Sequence, residues 1–302
     1  MNPPDLAIED RYASLSLDQA WTRYESIRDR LPPAARRGRM RTAARLLDVA
    51  QDYDGFLFDS FGVLNVGETV IPGAAECLRD LRARGKRFCI LTNAASYGVD
   101  TALAKYRRMG LDVRADEVVS SRDVAFAHLS GRGWAAIAAS GDGFEDAPAP
   151  LTDLLAITDW DTPDGFVFLS SIRWNAGLQD RLIASLHRRP RPVIIGNPDL
   201  VAPREGGLSL EPGFWGHDLQ DRTGIVPRFF GKPYREAFDA GLARLSGRVA
   251  MVGDTLHTDI LGGMDVGCDT ILVTHYGILV GCEVGALIAQ SGILPDLILP
   301  SI

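Results

Sequence analysis

The sequence predicts an α/β protein: a doubly wound parallel sheet, a second α/β domain inserted into it, and a helical extension at the N-terminus. Three observations carry that expectation. Short apolar runs ending in Gly, Asp, Asn or Ser recur from Tyr53 onward, and helical segments lie between several of them. The stretch from about Arg122 to Arg222 repeats this alternation with strands and a helix of its own, and the first pattern resumes near Phe229. Strands buried on both faces and separated by helices belong to parallel sheets, because a crossover helix returns the chain to begin a parallel neighbour.

In chain order, Ser16 and Gln19 have the spacing of a capping box. Leu17, Ala20, Trp21, Tyr24, Ile27 and Leu31 then recur at helical spacing until Pro32 and Pro33 end the run. The apolar stripe of residues 16–31 needs cover from the core or a partner subunit, and this helix is expected to take no part in the chemistry. Arg36, Arg37, Arg39, Arg41 and Arg45 read as a solvated face leading to a second helical pattern through Leu46, Leu47 and Ala50.

The core strands are GFLFD (55–59), RFCILT (87–92), EVVSS (117–121), RVAMVGD (248–254) and TILVTHYG (270–277). The helical segments AAECLRDLRARG and TALAKYRRMG end at Gly85 and Gly110. WAAIAAS, GFVFLSS and RPVIIGN are strands of the insert, and QDRLIASLHRR is its helix. The expected division is an extension (1–50), a first core segment (51–121), the inserted domain (122–222) and a second core segment (223–302).

With 302 residues, 46% hydrophobic and 24% charged, the chain can build two cores. A net charge of -7 provides no overall positive field to gather nucleic acid. Cys77, Cys89, Cys268 and Cys282 lie far apart without a CxxC pair and read as reduced core thiols. No run approaches the roughly 20 apolar residues that cross a bilayer, and the start lacks the pattern of a secretory leader. The expectation is a cytoplasmic protein without a membrane partner.

Useful side chains sit at the strand ends. Asp59 ends the first core strand, Thr92 and Asn93 the second, and Asp254 the fourth, with Asp259 following. If those strands are parallel neighbours, these groups meet on the edge where such sheets bind ligands. Lys232 of GKP adds a cation, with Pro233 suited to a first helical turn. Asp59 and Asp254 suit Mg2+, which prefers few protein oxygens, and Asp259 can orient one of its waters. Phosphoryl transfer needs an in-line nucleophile, which Asp59 supplies, and cover for the equatorial oxygens, which Lys232 and the Thr92 hydroxyl supply. Singly, these are a turn aspartate, a capping threonine and a surface lysine; their joint order favours one shared site.

FLFDSFGVL, LTNAAS, FFGKPY and GDTLHTDILGG resemble the four successive motifs of the haloacid dehalogenase (HAD) superfamily. IPGAAECLRDLRARG and GNPD (196–199) resemble the subclass with a large α/β cap that includes 4-nitrophenylphosphatase, pyridoxal phosphatase and phosphoglycolate phosphatase. The resemblance implies a Rossmann-like core with a cap inserted after the third core strand, and a cap able to pair two copies into a homodimer. It implies hydrolysis of a small phosphorylated metabolite through an aspartyl-phosphate on Asp59. It further implies Mg2+ held by Asp59, the Phe61 backbone carbonyl and Asp254, with Asp259 acting through water. Asn93, Asn197, Asp199 and His217 are the candidate substrate contacts. Phe214 and Trp215 could stack on a ring, Asp218, Arg204 or Arg222 could read polar groups, and His257 reads as a loop histidine.

One position departs from the family pattern. Its phosphatases read DxD in the first motif, the second Asp serving as general acid and base, and here that residue is Phe61. Such catalysis is worth about 100- to 10,000-fold. The protein is then a phosphatase of good leaving groups, a phosphatase in which His257 or His217 replaces the acid, or a weakened binder of phosphorylated ligands. Dehalogenase-like hydrolysis through an aspartyl ester also tolerates an aromatic residue there, but it needs no magnesium, and Asp254 and Asp259 speak against it.

Overall fold

The computed structural model describes residues 15–302 apart from 132, 142, 205 and 206, and the side chains of 203–207 are outside the description, that of Arg204 among them. Residues 1–14 of the expected extension also lie outside the described residues.

Seven parallel strands form the main sheet, in the spatial order Arg41–Thr42, Leu297–Leu299, Asp269–Val273, Val249–Gly253, Gly55–Phe58, Arg87–Thr92 and Val118–Ser120. Side chains alternate across each strand, and both faces are buried. Phe56 and Phe58 join the apolar cluster made with helices Ala74–Ala83 and Val99–Arg108. Leu57 joins the opposite cluster, with Ser121–Ala127 and Arg235–Leu242. Helices thus cover both faces, as the continuous apolar strands predict.

A second sheet has five parallel strands in the order Arg228–Phe229, Val193–Ile195, Gly165–Phe168, Trp134–Ile137 and Leu151–Asp153. Helices Ala176–Arg188 and Pro212–Thr223 pack their apolar residues with it. The chain enters this unit after Val118–Ser120 and leaves it through Arg228–Phe229, which pairs with the second sheet beyond the expected boundary at 222.

Several elements differ from expectation. Arg41–Thr42 pairs with Leu297–Leu299, so part of the extension is the edge of the main sheet. Residues Leu46–Asp48 and Ala50–Asp52 are short 3-10 turns instead of a helix, because only a few residues separate them from the strand at Gly55. Arg36 is not on a solvated face: it forms a two-pronged ion pair with Asp296, while Arg37, Arg39 and Arg41 are exposed. All four cysteines are free, and Cys77, Cys89 and Cys268 are buried. Among the described residues no helix is long and apolar enough to cross a membrane.

The helix Leu17–Ser26 has the full capping box, with Ser16 Oγ accepting the Gln19 N–H and Gln19 Oε1 accepting the Ser16 N–H. Its stripe is covered within the chain: Ala20, Trp21, Tyr24 and Ile27 share an apolar cluster with Leu219 of the second unit and Leu256 and Ile260 of the first.

Candidate active site

The strand Gly55–Phe58 lies between Val249–Gly253 and Arg87–Thr92, all three parallel. Asp59, Asp254, Thr92 and Asn93 therefore emerge at one edge. Lys232 arrives in the turn before Arg235–Leu242, and its Nζ lies 2.6 Å from Asp59 Oδ1 and 2.7 Å from Asp259 Oδ1. Pro233 stands in that turn after a cis peptide bond, ahead of the first helical residue.

The acidic side chains are held by backbone donors. Ile278 N–H donates to Asp254 Oδ2 at 2.9 Å and Thr255 N–H to Asp259 Oδ2 at 3.0 Å. Asp259 sits in a π-helical turn, Leu256–Ile260, a departure common at functional positions. Two glycines make room: a Cβ on Gly277, whose φ is +98°, would fall 2.0 Å from Asp254 Oδ2, and one on Gly253 would fall 2.1 Å from the Asp259 carboxyl carbon. Gly277→Ala is expected to displace Asp254 and weaken magnesium binding at least tenfold, a change titration calorimetry reads directly.

Ligand atoms of Asp59, Asp254 and Asp259 all lie within 4.8 Å of one another. Burial pushes the Asp59 carboxyl up to about 7, with Lys232 opposing and Asp259 reinforcing the shift. The Asp254 carboxyl is likewise held well above the usual carboxylate range by burial and by the charges of Asp59 and Asp259. For Lys232, burial opposes the ammonium, yet Asp259, Asp59 and Asp199 outweigh it and hold the pKa above the usual lysine range. Hard oxygen donors with too little positive charge among them fit a divalent cation such as Mg2+.

These shifts have a consequence for stability. Asp59 and Asp199 are both raised from 3.8 to about 7, so the metal-free folded protein retains protons there that the unfolded chain releases. That contribution is complete below pH 3.8 and is lost as pH rises through about 7. In chelator, the thermal midpoint is expected to fall between about pH 5 and pH 8, and magnesium should reverse most of the fall.

A cavity of about 640 Å³ lies between this edge and the second unit, lined by Asp59, Phe61, Thr92 and Asp254 on one side and Ser170, Asn197, Asp199 and Trp215 on the other. Asn93 fastens the two sides. Its Oδ1 accepts the Lys232 N–H at 2.7 Å, and its Nδ2 donates to the Lys232 carbonyl at 2.9 Å and to Asp199 Oδ1 at 2.8 Å. Both amide hydrogens are occupied, so Asn93 positions Lys232 and Asp199 more than it faces a ligand. Asn197 accepts the Asp199 N–H at 3.0 Å and holds that turn.

His217 does not line the cavity. It is buried in the second unit, stacked on Phe229 at 4.5 Å, and burial lowers its pKa to about 3. Phe214 is absent from the lining too, Asp218 accepts a hydrogen bond from Gln179, and Arg222 pairs with Asp180. His257, also outside the lining, is engaged by Glu25 at 2.6 Å. Two lining residues carried no signal in the sequence. Lys105, in the helix Val99–Arg108, is buried with its ammonium 4.8 Å from the Phe61 ring centre and 2.8 Å from Glu68 Oε1. Tyr24, counted in the apolar stripe of the N-terminal helix, also lines the cavity.

Residues 56–146 match the family described as haloacid dehalogenase-like hydrolase, and residues 229–298 match one described as HAD-hydrolase-like. The chain belongs to the haloacid dehalogenase-like hydrolases. The second α/β unit, lying largely between the matched stretches, is the cap of this HAD hydrolase. The chain is similar to an acid sugar phosphatase of Staphylococcus aureus, 29% identical over 229 residues that span 74% of this chain and 87% of that protein. Among solved structures it resembles a possible sugar phosphatase of the HAD superfamily from Cytophaga hutchinsonii, with 25% identity, a TM-score of 0.76, and coverage of 87% of this chain and 98% of that one. It also resembles a 4-nitrophenylphosphatase from Thermotoga maritima, with 25% identity, a TM-score of 0.64, and coverage of 84% and 96%.

Proposed function

We propose that this HAD hydrolase is a magnesium-dependent phosphatase that transfers the phosphoryl group of a small phosphorylated metabolite to Asp59. The observation that carries this reading is the Asp59 carboxylate 2.6 Å from the buried Lys232 ammonium, with two further carboxylates in metal-ligand reach and a cavity in front. Asp59 Oδ1 is engaged by Lys232 and the Ser60 N–H, while Oδ2 has no protein hydrogen bond among the described residues and is the attacking atom. Oδ2 forms a bond to phosphorus as the ester P–O bond breaks, and the departing alkoxide oxygen takes a proton from water. Water then attacks phosphorus, releasing inorganic phosphate and the Asp59 carboxylate. Lys232 and the Thr92 hydroxyl balance the charge on the phosphoryl oxygens.

Asp59, the Phe61 carbonyl and Asp254 would hold Mg2+, with Asp259 acting through a water, and the bound ion would supply positive charge to the phosphoryl group. Calorimetry is expected to show magnesium binding to the native protein and none to Asp254→Asn.

The names of the relatives make sugar phosphates the first compounds to assay. A screen of phosphorylated metabolites, with acyl and aryl phosphates included and each run in magnesium and in chelator, tests the reading. Turnover lost in chelator supports it, whereas full activity in chelator favours metal-free dehalogenase-like chemistry. Phe61 gives the binder reading its specific support, and tight binding of phosphate esters without turnover would favour it.

A further inference from the structure

We infer that the N-terminal helix is a wall of the substrate site and that Tyr24 is a specificity-determining residue, donating its phenolic hydrogen bond to an oxygen on the organic part of the bound ester. This rests on the phosphatase reading above. The helix lies outside both stretches matched to the family, yet it is fastened to both sides of the cavity. Arg23 and Arg30 pair with Asp221 of the cap helix Pro212–Thr223. Glu25 engages His257 in the turn that carries Asp259, and the same histidine stacks on Tyr24 at 4.7 Å and meets the edge of Trp21 at 4.8 Å.

These contacts place the Tyr24 ring, 4% exposed, in the lining that also holds Asp59, Asp254 and Thr258. The hydroxyl oxygen accepts the Leu200 N–H at 3.2 Å, one residue beyond Asp199. Its hydrogen has no protein acceptor among the described residues. A phenol has one donor as well as its acceptor capacity, and a buried donor left unpaired is costly. The bound molecule is the partner the cavity admits. Ser170, Asn197 and Asp199 surround the same space, so the organic group fitted here carries several oxygens, as in a polyol or sugar phosphate. The helix was expected only to dock and to take no part in the chemistry; through Tyr24 it also supplies part of the pocket lining.

Tyr24→Phe keeps the ring and removes the donor. The test compares native and variant protein in magnesium on ethyl phosphate, glycerol 3-phosphate, ribose 5-phosphate and glucose 6-phosphate, with inorganic phosphate as the inhibitor. For the best oxygen-rich ester, KM is expected to rise roughly tenfold with kcat changed far less. Ethyl phosphate should be nearly unaffected, and the phosphate inhibition constant should not move, which also reports an intact site. Glu25→Gln, which loosens the helix and keeps the phenol, should raise KM for the oxygen-rich esters less than Tyr24→Phe does. Unchanged KM in Tyr24→Phe, or an equal loss on all esters together with weaker phosphate inhibition, overturns the assignment while the phosphatase reading stands. A native protein that neither turns over nor binds any of these esters overturns both.

Discussion

Phe61→Asp is expected to hydrolyse alkyl phosphates about 100 to 10,000 times faster than the native protein, equal to roughly 2.7–5.4 kcal/mol of barrier. An alkyl phosphate expels a basic alkoxide unless an acid protonates it, whereas an aryl or acyl phosphate expels a weak base that needs little help. Phe61 lines the cavity beside Asp59 and has no proton to give. In the native protein the rate of transfer to Asp59 should therefore fall steeply as leaving-group pKa rises, and the aspartate variant should flatten that slope. With 4-nitrophenyl phosphate the native protein should show an early burst followed by slow turnover, because the missing group also activates water. The Lys105 ammonium, 4.8 Å from the Phe61 ring centre, would lower the pKa of the new carboxyl and hold the gain toward the smaller end. Single-turnover and steady-state rates on substituted phenyl phosphates measure both effects. A flat dependence in the native protein would mean that another acid acts. His217 does not line the cavity and His257 is occupied by Glu25, so Asp199 is the acid to test first. Its carboxyl lines the cavity and is pushed up to about 7 by burial, so Asp199→Asn is the next variant.

Lys232→Met should be the most damaging single change in the protein. The ammonium lies between Asp59 and Asp259, all but inaccessible, and its loss leaves buried carboxylates facing each other without their cation. Breaking a buried ion pair from one side costs about 3–5 kcal/mol, so thermal stability in chelator should drop markedly. The drop should be smaller in saturating magnesium, which replaces part of the missing charge. Loss of a charged contact to the phosphoryl group should lower kcat by about 100- to 1,000-fold or more. The Asp59 pKa should also climb beyond about 7, moving the acid limb of the residual activity to higher pH. Native kcat in this variant would remove Lys232 from the proposed chemistry.

The sequence made much of this arrangement legible, for a physical reason. Parallel strands buried on both faces are continuous apolar runs, and their polar ends must sit where the sheet meets solvent and ligand. Asp59, Thr92, Asn93 and Asp254 are such ends, and the strand order brings them to one edge. Short or marginal elements were not legible: Arg41–Thr42 is too brief to show a period, and its pairing with Leu297–Leu299 comes from distant chain. Nor does composition reveal which face of a helix meets a cavity. Tyr24 looked like core and lines the cavity, while His217 looked available and is stacked inside the cap. Asn93 shows a further limit, since its role depends on Lys232 and Asp199, both remote in sequence.

The central claim is that Asp59 receives the phosphoryl group. Acid quenching during the first turnover with 4-nitrophenyl phosphate and magnesium, followed by mass measurement of the proteolytic peptides, tests it most directly. The expected result is one phosphoryl group on the peptide carrying Asp59, accumulating with the burst and absent in Asp59→Asn, which should not turn over. Burst kinetics without a phosphoryl group on that peptide, or sustained turnover by Asp59→Asn, would contradict it.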